Sequence, residues 1–178
     1  SQYRSAYVGA KYDMAKTVEY GFSIPGTIYI NYDSKGDRFY VPDIDGLEMK
    51  WKKLTGEKPR RYIALANFSG MLYRRYMKEP AVKGSIKMPP DAFFEDIERC
   101  GREFLARWKT EGRAELFVIA ADEPRVEDVK YVARLFRSFK KAGFNTFVTS
   151  WSAREPSLEA ELKDYVDVWC DQFFVTPE

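Results

Sequence analysis

The sequence predicts a single α/β domain over residues 1–178, with a parallel sheet covered by helices. Three observations carry that prediction. Five short runs rich in β-branched and aromatic residues alternate with helical patterns along the chain. The runs are close to continuously apolar, as strands buried on both faces are. At 178 residues, 45% hydrophobic and 31% charged, the chain suits one core of ordinary size. Strict alternation admits two architectures. The preferred one is part of a (β/α) TIM-type barrel, which needs eight strands and about 250 residues when complete. The alternative is an open doubly wound sheet. No glycine fingerprint follows the first strand and no GxxxxGK[ST] occurs, which disfavours the nucleotide-binding versions of the open sheet.

The elements follow in order. Residues 6–20 carry apolar groups at helical spacing, and Gly21 is placed to cap them. Thr27 to Tyr32, TIYINY, reads as the first strand. Asp33 to Gly36 forms a turn, a loop runs to Pro42, and Asp43 or Asp45 is placed to cap a helix ending near Leu54. Arg61 to Phe68, RYIALANF, is the second strand. Residues 69–90 read as a long irregular connection, a length that usually has a purpose. Asp91 is placed to cap an amphipathic helix with Phe94, Ile97, Gly101, Phe104, Leu105 and Trp108 on one face. Ala114 to Ala121, AELFVIAA, is the third strand. A helix from about Val126 to Lys141 follows, ended by Gly143. Asn145 to Trp151 is the fourth strand, SLEAELKDY a short helix, and Val166 to Phe174 the fifth strand.

Composition removes several function classes. There is no histidine. Ser-His-Asp and Cys-His catalysis, His-ligated zinc and an imidazole base are therefore excluded. Acid–base work falls to Asp, Glu, Tyr, Lys or Cys. The net charge of +2 is small and its signs are mixed, so no basic stripe suits nucleic acid. No apolar run reaches membrane-spanning length. Cys100 and Cys170 lack metal spacing and read as small apolar residues. No cofactor and no metal is implied. Aromatic residues reach 16%, a composition that suits both cores and sugar-binding surfaces.

The candidate chemistry lies at the C-terminal strand ends, the edge where alternating α/β folds place their sites. Those ends read Asn31-Tyr32-Asp33, Asn67-Phe68-Ser69, Asp122-Glu123, Ser150-Trp151-Ser152 and Asp171-Gln172-Phe173. Carboxylates, amides and rings around one edge suit a carbohydrate, whose hydroxyls want bidentate partners and whose ring faces want aromatics. Tyr32, Asn67, Trp151, Asp171 and Gln172 are the candidate substrate-binding residues. Taken singly, Asp33 and Ser152 are explained by turns and helix caps. The Asp122–Glu123 pair is less easily explained. Adjacent carboxylates straight after a buried strand repel each other and cost desolvation. Glu123 precedes Pro124, which pushes it toward extended geometry and makes it a poor cap. Consecutive strand residues point to opposite faces, so both carboxylates reach one pocket only if the chain turns there.

Glu19 to Phe22, a later strand ending Asp122-Glu123-Pro124, and Tyr165 to Phe173, YVDVWCDQF, together resemble the barrel of glycoside hydrolase family 123 and its relatives. In those (β/α)8 domains the fourth strand ends in an Asp-Glu pair, and a later strand carries a segment matched here by Val166, Asp167, Val168 and Trp169. The resemblance implies substrate-assisted hydrolysis of N-acetyl-β-galactosaminides. Glu123 would be the acid/base, and Asp122 would orient the substrate's acetamide. It also implies an incomplete barrel, covering about strands two to six. The first strand would lie before Ser1 and the seventh and eighth after Glu178. Self-association, or pairing with missing barrel segments, is then expected at the open edges. Two other readings compete. One is a non-catalytic carbohydrate-binding or assembly module. The other places magnesium or phosphate on Asp122, Glu123 and Asp171, which no phosphate loop supports.

Overall fold

The computed structural model describes residues 14–19, 24–150 and 156–171. The expected binding residues Trp151 and Gln172 lie outside them. Seven strands and six α-helices are described: α1 (Met14–Glu19), β1 (Thr27–Tyr29), β2 (Asn31–Asp33), β3 (Arg38–Tyr40), α2 (Ile44–Thr55), β4 (Arg61–Leu65), α3 (Asn67–Met77), α4 (Asp91–Thr110), β5 (Glu115–Asp122), α5 (Val129–Ala142), β6 (Asn145–Ser150), α6 (Pro156–Leu162) and β7 (Val168–Asp171). None of the described helices is long and apolar enough to cross a membrane.

The fold is α/β with alternating units. Five strands pair in parallel and stand in chain order, β1-β4-β5-β6-β7. The order does not reverse among them. The register puts Ile28, Ala64, Val118 and Thr146 in one row, on one face of the sheet. All four are buried. The apolar three of that row share a core cluster with Ile97 and Phe104 of α4 and Val132 and Phe136 of α5. On the opposite face, Tyr29, Leu65, Ile119, Phe147 and Val168 form a row across all five strands. Ile119 is buried. Its neighbours Leu65, Phe147 and Val168 are only half-buried. A parallel sheet normally covers both faces, so this second face is the less usual one.

The helices pack through a close approach of α4 and α5. A Cβ built on Gly101 would lie 2.7 Å from Ala142 Cβ and 2.9 Å from Phe144 Cε2. Only glycine fits there without a shift. Phe68 stacks on Phe39 and Phe139, with ring centroids 3.9 and 5.2 Å apart. At the start of β5, Arg113 pairs with Asp45 at 2.7 Å, Glu48 at 3.0 Å and Glu111 at 2.7 Å. That knot sits at the N-terminal edge, where α/β folds keep stability rather than chemistry.

Several expectations need correction. The second strand stops at Leu65, and Asn67 and Phe68 begin α3 instead of ending the strand. Asp43 precedes α2 without a side-chain capping bond, and Pro90 rather than Asp91 stands at the cap position of α4. The stretch Thr27 to Tyr32 is not one strand. Ile30 donates its N–H to the Leu65 carbonyl, and the chain then leaves the sheet to pair β2 with β3 as an antiparallel hairpin. The turn DSKGD makes this possible. Asp33 Oδ1 accepts the Lys35 N–H at 3.0 Å, and Asp37 takes a left-handed φ of 46°. Residues 69–90 are not wholly irregular either, because α3 occupies the first part. Phe68, Leu72 and Tyr73 bury one side of it, and Lys78 closes it in a left-handed conformation. The Ser69-Gly70 and Arg74-Arg75 pairs obscure that periodicity in the sequence.

Candidate functional site

β5 carries Asp122 to the C-terminal edge of the sheet. Its register against β6 shifts between Ile119 and Ala121, an irregularity of the kind that re-aims side chains beside sites. Beyond the shift, Asp122 lies in register with Thr149. The Thr149 hydroxyl donates to Asp122 Oδ1 at 2.5 Å. Thr149 is buried and Asp122 is exposed. The carboxylate is therefore anchored at one oxygen from within the sheet.

Glu123 does not take the extended geometry expected before proline. Its φ is +46°, in the left-handed region. Its N–H donates to the Thr149 carbonyl at 2.9 Å and also reaches the Thr149 hydroxyl oxygen at 3.2 Å. Pro124 disfavours the right-handed helical region for Glu123. The pull of Thr149 on its N–H then closes the strand end as a turn. A left-handed glutamate costs about 1–2 kcal/mol, which the surrounding bonds must offset. The turn breaks the alternation that would send the two carboxylates to opposite faces of the sheet. Thr149 thus contacts both members of the pair. Sequence reading missed it, because a threonine in a strand is unremarkable until its register is known.

Asp128 is a second residue the sequence did not reveal. It is buried, 3% exposed, just before α5. Its Oδ2 accepts the Gly84 N–H at 2.5 Å and its Oδ1 the Ile86 N–H at 2.9 Å. The Tyr73 hydroxyl donates to the Lys87 carbonyl at 3.0 Å. The connection after α3 is therefore pinned against the β5–α5 junction, next to the candidate pair.

The other expected site residues are dispersed. Asn67 opens α3, and its amide donates to Asn31 Oδ1 at 3.3 Å. Tyr32 lies in the core. Its hydroxyl donates to Asp37 Oδ1 at 2.5 Å and accepts from Arg75, and its ring packs edge-on against Phe39. Burial, then the Asp37 hydrogen bond, raises its pKa well above the ordinary phenol value. Ring and hydroxyl are both engaged there rather than presented at the Asp122 edge. Asp171 ends β7 in register with Ser150. Among the described residues, no group of three or more His, Cys, Asp or Glu is placed to hold a metal ion. Both cysteines are free thiols. Burial pushes the Cys100 thiol up to about 11. It is a buried apolar group, as expected, whereas Cys170 is only half-buried.

What remains at the edge is an anchored aspartate beside a glutamate on a sharp turn. Such a pair can accept hydrogen bonds at one carboxylate and move a proton at the other. No family model matches the chain, and no curated protein or solved structure shows significant similarity to it.

Proposed function

We propose that the chain is a glycoside-hydrolase-like domain that cleaves N-acetyl-β-galactosaminide-type linkages, built as part of a (β/α) barrel. The observation that carries this reading is the Asp122–Thr149–Glu123 arrangement at the C-terminal edge. The partial barrel is supported by five parallel strands in chain order, since a doubly wound sheet reverses its order. A row of half-buried apolar side chains on the face away from the helices agrees with it, because barrels pack such rows inside.

In this reading the acetamide oxygen of the substrate attacks the anomeric carbon and the glycosidic C–O bond breaks. Glu123 gives its proton to the leaving oxygen. Asp122, held by Thr149, accepts the acetamide N–H and stabilises the positive charge that develops on the ring formed. Glu123 then takes a proton from water, which opens that ring with retained configuration. This route belongs to the substrate-assisted exceptions among glycosidases. The test is hydrolysis of a chromogenic N-acetyl-β-galactosaminide and its loss in Glu123→Gln. Removal of a general acid costs roughly 10²–10⁴-fold.

A second reading is a carbohydrate-binding or assembly module without turnover. The row Tyr29, Leu65, Phe147 and Val168 favours it, as a surface for a further barrel segment or a second copy. It predicts sugar binding or self-association with no hydrolysis, read by calorimetry and light scattering.

A further inference from the structure

Glu123 gives its proton to the departing oxygen, and the next sugar unit is joined through that oxygen. The leaving-group side of the substrate therefore lies beside Glu123. Arg125 stands two residues further along, so the two Cα atoms are within about 7 Å of each other. We propose that Arg125 binds the carboxylate of a hexuronate unit on the leaving-group side, which makes the substrate class a β-N-acetylgalactosaminyl uronate. The inference rests on the glycosidase reading of the Asp122–Glu123 edge.

Three observations support it. The first is that Arg125 is exposed and forms no ion pair among the described residues. By contrast, Arg75, Arg99, Arg113 and Arg134 each pair with an aspartate. The carboxylates nearest in the chain do not serve Arg125. Both oxygens of Asp128 are taken by the Gly84 and Ile86 N–H groups, and exposed Glu127 makes no pair with it. The second is placement. The Arg125 side chain runs along Gly84, where an added Cβ would lie 3.4 Å from both Arg125 Cδ and Nη1. Gly84 has a φ of +90°, and Asp128 pins its loop to the β5–α5 junction. The guanidinium thus rests on a fixed strap at the edge that carries the two carboxylates. Lys83, exposed beside Gly84, adds a second cation without an ion pair. The third is chemistry. The planar fork of a guanidinium matches a carboxylate with two parallel hydrogen bonds, which a neutral hydroxyl does not reproduce.

The experiment uses the full chain carrying Glu123→Gln, which stops turnover. Two disaccharides are titrated, each with N-acetylgalactosamine β-linked at the non-reducing end, one to glucuronate and one to glucose. Calorimetry gives the affinities, and NMR follows the Arg125 Nε–H and the backbone amides of Glu123 and Thr149. The glucuronate disaccharide is expected to bind about tenfold more tightly and to be the only one that shifts the Arg125 signal. Both are expected to shift Glu123 and Thr149. The tenfold preference is expected to vanish in Arg125→Gln, to survive in part in Arg125→Lys, and to shrink at high salt. Equal affinities, with Glu123 and Thr149 shifted by both sugars, would overturn the uronate subsite and keep the carboxylate reading. An Arg125 shift produced as strongly by sodium sulfate would show an adventitious anion only and overturn the subsite as well. No shift at Glu123 or Thr149 with either disaccharide would overturn both.

Discussion

The Thr149 hydroxyl donates to Asp122 Oδ1 at 2.5 Å, and the same oxygen lies 3.2 Å from the Glu123 N–H. One buried side chain on β6 therefore holds the Asp122 carboxylate and the Glu123 backbone at the end of β5. Thr149→Val keeps the shape and removes the hydroxyl. The account expects kcat to fall about 10–100-fold with KM little changed, because Asp122 loses its anchor rather than its charge. Thr149→Ser restores most of the rate. Equal losses in the valine and serine variants would assign the threonine to packing alone.

Gly101 decides how closely α4 approaches α5. A methyl group there meets Ala142 and Phe144 at distances that require one helix to shift. Gly101→Ala gains helix propensity but overpacks the interface, and overpacking wins. The expected net loss is about 1–3 kcal/mol in urea unfolding. A stabilised variant would mean the helices part without cost.

Asp128 holds the connection between α3 and α4 through two backbone N–H groups. Asp128→Ala leaves both without their acceptor. The expected cost is about 2 kcal/mol, with faster hydrogen exchange at Gly84 and Ile86. Asp128→Asn keeps one acceptor oxygen and is expected to protect one of the two amides. Unchanged exchange in Asp128→Ala would show that Tyr73 and neighbouring contacts hold the loop alone.

Asp167 gives the fold an acid-sensitive contact. Burial raises its pKa, but Lys140 at 2.7 Å and the Thr146 N–H at 2.7 Å outweigh that and hold it below the usual carboxylate value of 3.8. A group depressed in the folded state stabilises the fold above its unfolded pKa. That contribution disappears as pH falls through the lower, folded value. Stability is therefore expected to drop as pH goes below about 4. Asp167→Asn is expected to flatten that part of the curve. An identical slope in the variant would place the acid sensitivity elsewhere.

Much of this scaffold was legible in the residues. Apolar runs marked the parallel strands, and the helical face from Phe94 to Trp108 matched α4. What was missed depends on distant partners. The chain leaves the sheet after Ile30 because Asn31 to Asp33 pair with Arg38 to Tyr40 on another strand, which the unbroken run from Thr27 to Tyr32 does not reveal. The left-handed Glu123 follows from a bond to Thr149 on another strand. At the site, the Asp122–Glu123 pair was visible because two carboxylates after a buried strand are costly. Thr149 and Asp128 were not, since a buried threonine and a helix-start aspartate look ordinary until their partners are placed.

The most direct test compares a chromogenic N-acetyl-β-galactosaminide with the matching β-galactoside, in the full chain and in Glu123→Gln. The account predicts cleavage of the first substrate alone, because the acetamide is the nucleophile, and a loss of at least about 100-fold in the variant. Equal cleavage of the galactoside, or full activity in Glu123→Gln, would contradict it.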